Sequence, residues 1–393
     1  TYVCDESDCL PDDELRGCTN PDACNYQPDK WIDDGSCWQC PNGYNCYSGV
    51  MDACFKDSEI QYIESWGVGS FESLVEESYL NVENFSVEPS TSSFPFQHRV
   101  TAIFFTFDSE DTRVVTSIPN NIYNELPELE ILVASNNELT QLPNDVLIHP
   151  KLHTINVSHN QIDIIMSNWD EYLSTHAWES SKIKDFNISH NYILFPLPQF
   201  ILNIVNKMKR IQYIDISHNY FYGEIPWQIR YLSDPMQGGL GDFRNLDMSF
   251  NQIEGILTPH IAHIGDPDIH SRFTGLDVSH NLLEHGPKYD QHPANWEGDF
   301  KDVWCRFLGS AQRIDVSYNQ FCSPSDWEWI EPECGGGIVT DGFDSLINIV
   351  PQDCGPQYNS CMCWHNNILD NCEPGYTPEC LFWGNQSEEW FIN

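Results

Sequence analysis

The chain has 393 residues, 40% of them hydrophobic, with 59 acidic side chains against 18 Lys and Arg and a formal net charge of -41. Such a surface repels nucleic-acid phosphates and anionic headgroups, so both are poor partners, whereas cationic proteins and divalent ions suit it. The 21 Phe and 13 Trp argue against a disordered acidic polymer, and no run of 18 apolar residues is present to span a membrane.

The first element is a Cys-rich segment, residues 1–56, holding Cys4, Cys9, Cys18, Cys24, Cys37, Cys40, Cys46 and Cys54. Eight more cysteines close the chain: Cys305, Cys322, Cys334, Cys354, Cys361, Cys363, Cys372 and Cys380. Even counts gathered at both ends predict disulfide-stapled modules in an oxidising, extracellular compartment, with the pairing left open. The first segment is too small to fold on apolar burial alone, and disulfides worth ~2–4 kcal/mol each supply the constraint. Asn20-Pro21 and Asp34-Gly35 are turn signals. Asp29, Asp33 and Asp34 are candidate ligands for a structural Ca²⁺, although they miss the helix-loop-helix calcium pattern and solvated turn acids are the simpler account. Cys37-x-x-Cys40 reads as structural disulfide cysteine, since no strand-helix context supports a redox pair. The stretch GCTNPDACNYQPDKWIDDGSC (17–37) resembles a short extracellular repeat of that spacing. With Thr1 first and no signal peptide visible, the expectation is a processed or excerpted extracellular chain.

Next, FESLVEESYL (71–80) has helical apolar spacing and VTAIFFTF (100–107) reads as a strand; together they would cover the first edge of the central region. That region carries a repeat in seven copies: LEILVASNNEL (129–139), LHTINVSHNQI (152–162), IKDFNISHNYI (183–193), IQYIDISHNYF (211–221), FRNLDMSFNQI (243–253), FTGLDVSHNLL (273–283) and AQRIDVSYNQF (311–321). Apolar residues recur at the first, fourth, sixth and eleventh positions. An Asn always holds the ninth: Asn137, Asn160, Asn191, Asn219, Asn251, Asn281 and Asn319. Positions four and six have strand period and face one way, position five the other. A buried Asn at the strand end is tolerable only if it bonds the backbone. One repeat cannot cover its own apolar row, so the copies must stack.

These motifs resemble the leucine-rich-repeat family closely, with FYGEIPWQI (221–229) and SIPNNI (117–122) similar to its plant-type tail. The resemblance implies an α/β fold: a leucine-rich-repeat solenoid with a concave parallel β-sheet, flanked by small disulfide-rich terminal modules. The ninth-position Asn residues would form the family's inward structural ladder. Intervals of 23, 31, 28, 32, 30 and 38 between those Asn residues put insertions away from the strands. Expected domains are the Cys-rich module 1–56, the repeat domain with its N-terminal cap 57–330, and a Cys-rich C-terminal cap with an aromatic tail 331–393.

On the concave face, position five reads Val133, Asn156, Asn187, Asp215, Asp247, Asp277 and Asp315. Strands ~4.8 Å apart would align the four Asp as a carboxylate ladder, either a solvated face or a site for a cationic partner or Ca²⁺. Asn156 and Asn187 begin Asn-x-Ser sequons, as do Asn84 and Asn385, so N-linked glycans are expected. His159, His190, His218 and His280 share position eight with Phe250 and Tyr318, which favours packing over a pH switch or metal row.

At the far end Cys361, Cys363 and His365 have metal-ligand spacing, but a disulfide cap is the expectation there. Phe382, Trp383, Trp390 and Phe391 in LFWGNQSEEWFIN (381–393) are candidate assembly contacts or pack back on the cap. No nucleophile elbow, poised carboxylate pair or phosphate loop is present, Gly335-Gly336-Gly337 lacking a following Lys, so no enzyme and no cofactor are expected. Different surfaces at the two ends predict an extracellular structural or adhesive glycoprotein assembling as a filament, sheath or matrix subunit, with copies of itself or a basic protein as partner. The alternative is a recognition protein, a receptor ectodomain or inhibitor, binding a cationic ligand on its concave face.

Overall fold

The apolar positions of the repeat decide the fold, because every described one of them is buried. Position four (Leu132, Ile155, Phe186, Ile214, Leu246, Leu276, Ile314) and position six (Ala134, Val157, Ile188, Ile216, Met248, Val278, Val316) are at most 2% exposed. The structure, a computed structural model, describes residues 15–40, 42–47, 53–85, 97–107, 111–163, 181–233, 242–264, 273–285, 304–305, 307, 313–321, 347–348, 362–365 and 368–371. Cys4, Cys9, Cys322, Cys334, Cys354, Cys361, Cys372, Cys380, Asn385, Phe382, Trp383, Trp390, Phe391 and Gly335-Gly336-Gly337 lie outside the described residues. By compactness the chain divides into two units, Thr1–Ala134 and Ser135–Asn393.

In the first unit, β1 (Arg16–Gly17) pairs in parallel with β2 (Ile32–Asp33). Disulfides join Cys18 to Cys37, Cys24 to Cys46 and Cys40 to Cys54. Cys37 and Cys40 therefore belong to different bridges, and the pair is structural. The hairpin β3 (Tyr44–Tyr47) and β4 (Ala53–Lys56) continues through β4 onto β6 (Gln97–Phe104), which also pairs with β5 (Leu80–Phe85) and β7 (Ile131–Val133). The helix expected over 71–80 spans only Phe71–Glu76: Ser70 caps it by accepting from the Ser73 N–H, and Ser78 turns left-handed (φ 64°), sending Leu80 into β5. Buried Phe55, Phe71, Trp66 and Phe105 fill the core, with ring centroids of 5.0 Å for Phe55–Phe71 and 5.3 Å for Trp66–Phe105. Glu59, buried among them, is held by Arg99; burial pushes its carboxyl up and the guanidinium opposes this.

In the second unit each repeat gives one three-residue strand: β8 (Thr154–Asn156), β9 (Asp185–Asn187), β10 (Tyr213–Asp215), β12 (Asn245–Asp247), β14 (Gly275–Asp277) and β16 (Arg313–Asp315). They pair in parallel without a slip, so position five meets position five along the row. After the Asn turn a second parallel sheet forms from β11 (Tyr222–Glu224), β13 (Gln252–Ile256) and β15 (Leu282–His285). A helix, Leu197–Lys207, begins at Leu197-Pro198, where proline's missing N–H costs no helical bond, and buries Leu197, Phe200, Ile201 and Ile204.

The ninth-position Asn residues knit these rungs. Asn219 donates through Nδ2 to the carbonyls of Ile188 (3.0 Å), Ile216 (3.2 Å) and Ser217 (3.0 Å), and its Oδ1 accepts from the Ile193 N–H at 3.1 Å. Asn191, Asn251, Asn281 and Asn319 repeat the pattern, each reaching the preceding rung. Asn160 bonds the Val157 carbonyl and the Leu139 N–H, and Asn137 the Ser135 carbonyl. Each buried amide is thus satisfied by backbone groups that would otherwise stay unpaired.

Candidate functional site

The open face of the first sheet, the concave face of this repeat class, brings Asn156, Asn187, Asp215, Asp247, Asp277 and Asp315 into one register-matched row. Val133 lies in β7 of the first unit. The carboxylates do local work as well. One oxygen of each Asp accepts the N–H two residues on, in Ser217, Ser249, Ser279 and Ser317, at 3.0–3.1 Å. In three rungs that oxygen also accepts the Ser hydroxyl at 2.7 Å. Asn156 and Asn187 make the same turn with Ser158 and Ser189, and Asn187 Nδ2 donates to Asp215 Oδ2 at 3.1 Å. Asn and Asp are therefore interchangeable at this position as far as the turn is concerned.

The row is not a freely solvated face. Asp315 is 7% exposed, and Asp215, Asp247 and Asp277 are half-buried. Burial, then the charges of Asp315 and Asp247, push the Asp277 carboxyl up to about 6. Burial raises Asp247 as well, against the hydrogen bonds from Ser249. Arg313 answers part of this charge: its guanidinium lies 3.7 Å from Asp277 and 3.5 Å from Asp315 while staying 71% exposed.

Position eight carries a feature the sequence does not announce. His159, His190, His218, Phe250, His280 and Tyr318 all sit at φ 51–53°, a left-handed conformation that Phe and Tyr rarely adopt. Their rings stack in one column, with successive centroids 3.9, 3.9, 4.0, 3.8 and 4.1 Å apart. Packing holds the turn in this conformation. Burial, then the neighbouring His190, lowers His218 to about 4; burial also lowers His190 and His280.

Elsewhere, the Asp33 and Asp34 side chains accept the N–H groups of Gly35 and Ser36, each at 2.9 Å, and Asp29 lies 3.5 Å from Lys30. The hydrogen bonds from Ser36 lower the Asp34 carboxyl. Among the described residues the set of side chains close enough to share a metal ion is Cys24, Cys40 and Cys54, whose sulfurs belong to two adjacent disulfides. Asn84 lies in β5, Cys363 and His365 in a hairpin strand Met362–His365, and Cys305 is disulfide-bonded.

No family model matches the chain. By sequence it is 27% identical over 158 residues to "Receptor-like protein 13" of Arabidopsis thaliana, a match covering 40% of this chain and 13% of that protein. Among solved structures it is similar to the PEPR1–AtPEP1 complex, with 19% identity, a TM-score of 0.40 and 56% of this chain and 28% of that one covered. It is also similar to the Arabidopsis receptor kinase HAESA in complex with the peptide hormone IDA and the co-receptor SERK1 (18%, TM-score 0.33, 52% and 32% covered). A leucine-rich-repeat protein of Leptospira interrogans is similar at 21%, with a TM-score of 0.39 and 57% and 53% covered. At these identities the likeness is one of fold. The class is a leucine-rich-repeat fold with an N-terminal cysteine-rich module, and an extracellular one. The disulfides in that module belong to an oxidising compartment, and among the described residues no helix is long and apolar enough to cross a membrane.

One expectation is corrected. The filament, sheath or adhesive subunit drawn from the two dissimilar ends is not what the comparisons return: the matched relative is named as a receptor-like protein. Different ends on one chain permit polymerisation but do not require it.

Proposed function

We propose that the chain is a recognition protein whose open sheet face binds a cationic peptide or protein along Asp215, Asp247, Asp277 and Asp315. The observation that carries this reading is Arg313, a guanidinium of the chain itself resting on Asp277 and Asp315. It models the contact a ligand's Arg or Lys makes with Asp215 and Asp247. Neighbouring half-buried carboxylates repel one another, by roughly 3–4 kcal/mol per pair at an effective dielectric near 20, and a bound cation relieves that repulsion. The net charge of -41 adds long-range steering of a basic partner toward the face. The name of the Arabidopsis relative is in keeping with this role. Glycans on Asn156 and Asn187 would leave the Asp half of the row as the open part. The segment 17–37, similar to a short extracellular repeat, together with the cut of the chain at 56 and 330, belongs to the same proposal.

The test is selection of cationic peptides on the full chain, then measurement of their affinity for an Asp215→Asn/Asp247→Asn variant. Asn is native at the equivalent positions in β8 and β9, so the variant keeps its turns; both proteins are produced in a host without N-glycosylation, because each change completes an Asn-x-Ser sequon with Ser217 or Ser249. Selected peptides should bind it at least about tenfold more weakly. Equal binding to the variant overturns the open-face reading.

A further inference from the structure

A second surface lies just beyond the Asn turn. Tyr192, Leu194, Tyr220 and Tyr222 are 55%, 64%, 43% and 42% exposed, and they alternate with Ile193 and Phe221, both fully buried. Alternation puts all four on one side of the chain. They lie on adjacent rungs: the Tyr220 N–H donates to the Ile193 carbonyl at 2.9 Å and the Tyr222 N–H to the Phe195 carbonyl at 3.2 Å. Two residues past Tyr222 in β11, and exposed like it, stands Glu224, whose register partner in β13 is Glu254. Both carboxylates are exposed, and among the described residues neither has an ion pair. Gly255 makes room for this arrangement: at φ 83°, a Cβ there would come within 2.9 Å of the Glu224 side chain.

Large aromatics exposed side by side cost solvation, and a cluster of them marks a contact surface. The chain shows what such a surface holds. Arg113 lies over Tyr79 and Phe107, at 4.8 and 5.0 Å from their centroids, while bonding Asp111 and Glu77. Arg244 lies 5.9 Å from the Tyr213 centroid and bonds Asp242. Arg230 lies over Tyr231 and Trp227 at 4.8 and 5.5 Å. A ring beside a carboxylate thus seats a guanidinium at Arg113 and at Arg244, and Tyr220, Tyr222, Glu224 and Glu254 offer the same pair of groups to an outside cation. A second copy cannot supply it well, with 18 basic residues set against 59 acidic ones.

We propose that this outer face, separate from the Asp row, docks an arginine-bearing basic segment of a partner protein, with guanidinium groups stacked on Tyr220 and Tyr222 and paired to Glu224 and Glu254. The site stands whether or not the open face binds a ligand.

The experiment measures fluorescence anisotropy of labelled nona-arginine and nona-lysine on the full chain at about 0.15 M salt. Three variants accompany it: Tyr220→Gln/Tyr222→Gln, Glu224→Gln/Glu254→Gln and Asp215→Asn/Asp247→Asn. Gln occupies the position equivalent to Tyr220 in three other repeats, as Gln161, Gln252 and Gln320, so the first variant is compatible with the fold. Expected are preference for the arginine probe and a loss of about tenfold in each outer-face variant when it is made on the Asp215→Asn/Asp247→Asn background, where the open face no longer holds its share of the probe. Unchanged arginine-probe binding in the tyrosine variant on that background, equal binding of the lysine probe, or a loss confined to the Asp-row variant each overturns the proposal. So does self-association of the chain that disappears with the two tyrosines.

Discussion

The guanidinium of Arg313 lies 3.7 Å from the carboxylate of Asp277, on the neighbouring strand of the open face. A residue 71% exposed is held there by two acids rather than by packing, and it occupies the end of the row that a cationic ligand would otherwise share. Replacing Arg313 by Gln should raise affinity for a cationic peptide about threefold and lower stability by no more than about 1 kcal/mol, since the pair is open to solvent. Calorimetric titration and a denaturant melt read the two effects. Weaker peptide binding would mean that Arg313 serves the ligand in another way.

Asp277 tests the electrostatics of the row. Its folded-state value, raised to about 6 from 3.8, means that the native state holds a proton more tightly than the unfolded chain does. That contribution is full below pH ~4 and is lost as pH rises through about 6, so at pH 8 the charged carboxylate is a liability. Asp277→Asn should therefore stabilise the chain by about 1–2 kcal/mol at pH 8, with the gain gone by pH 4. Urea midpoints at the two pH values check this.

His218 runs the other way. Its folded-state value, lowered to about 4 from 6.5, gives stability that is present above pH ~6.5 and is lost as pH falls toward 4. Phe holds the equivalent position at Phe250, stacked 4.0 Å from the His218 ring. His218→Phe should keep the column and remove the acid sensitivity of that rung, about 1 kcal/mol between pH 7.5 and 4.5 after allowance for solvent screening. An unchanged pH slope in the variant would show that the ring protonates without disturbing the stack.

How legible these features were in the sequence differs from position to position. The buried first, fourth, sixth and eleventh positions and the Asn row follow from spacing alone, because burial and backbone bonding demand one residue type at each. The left-handed turn at position eight does not, since His, Phe and Tyr share it, and it is the ring stack together with rung-to-rung backbone bonds, such as that from the Phe250 N–H to the Ser279 carbonyl at 3.0 Å, that accompanies φ 53° at Phe250 and 51° at Tyr318. The partial burial of Asp247 and Asp277 depends on how closely neighbouring rungs approach, which spacing does not encode. The second sheet had a faint signal in the matching glycines of Tyr222-Gly223-Glu224 and Glu254-Gly255-Ile256, both with positive φ, yet the tyrosines beside it read as ordinary repeat residues.

Asn219→Ala tests the stacking itself. The change removes the bonds to three carbonyls on two rungs and leaves the Ile193 N–H unpaired in the interior. A loss of about 2–4 kcal/mol is expected at every pH between 5 and 8. Thermal unfolding followed by circular dichroism measures it, and a loss under about 0.5 kcal/mol would mean that the ladder is replaceable by water.

Carboxyl footprinting locates the ligand directly. The full chain is treated with a carbodiimide and a small amine, with and without a cationic peptide selected on it, and the labelled carboxylates are read by mass spectrometry. Recognition by the open face predicts that Asp215 and Asp247 are protected in the complex. Unchanged labelling of both, with protection falling only on acids outside the row, would contradict it.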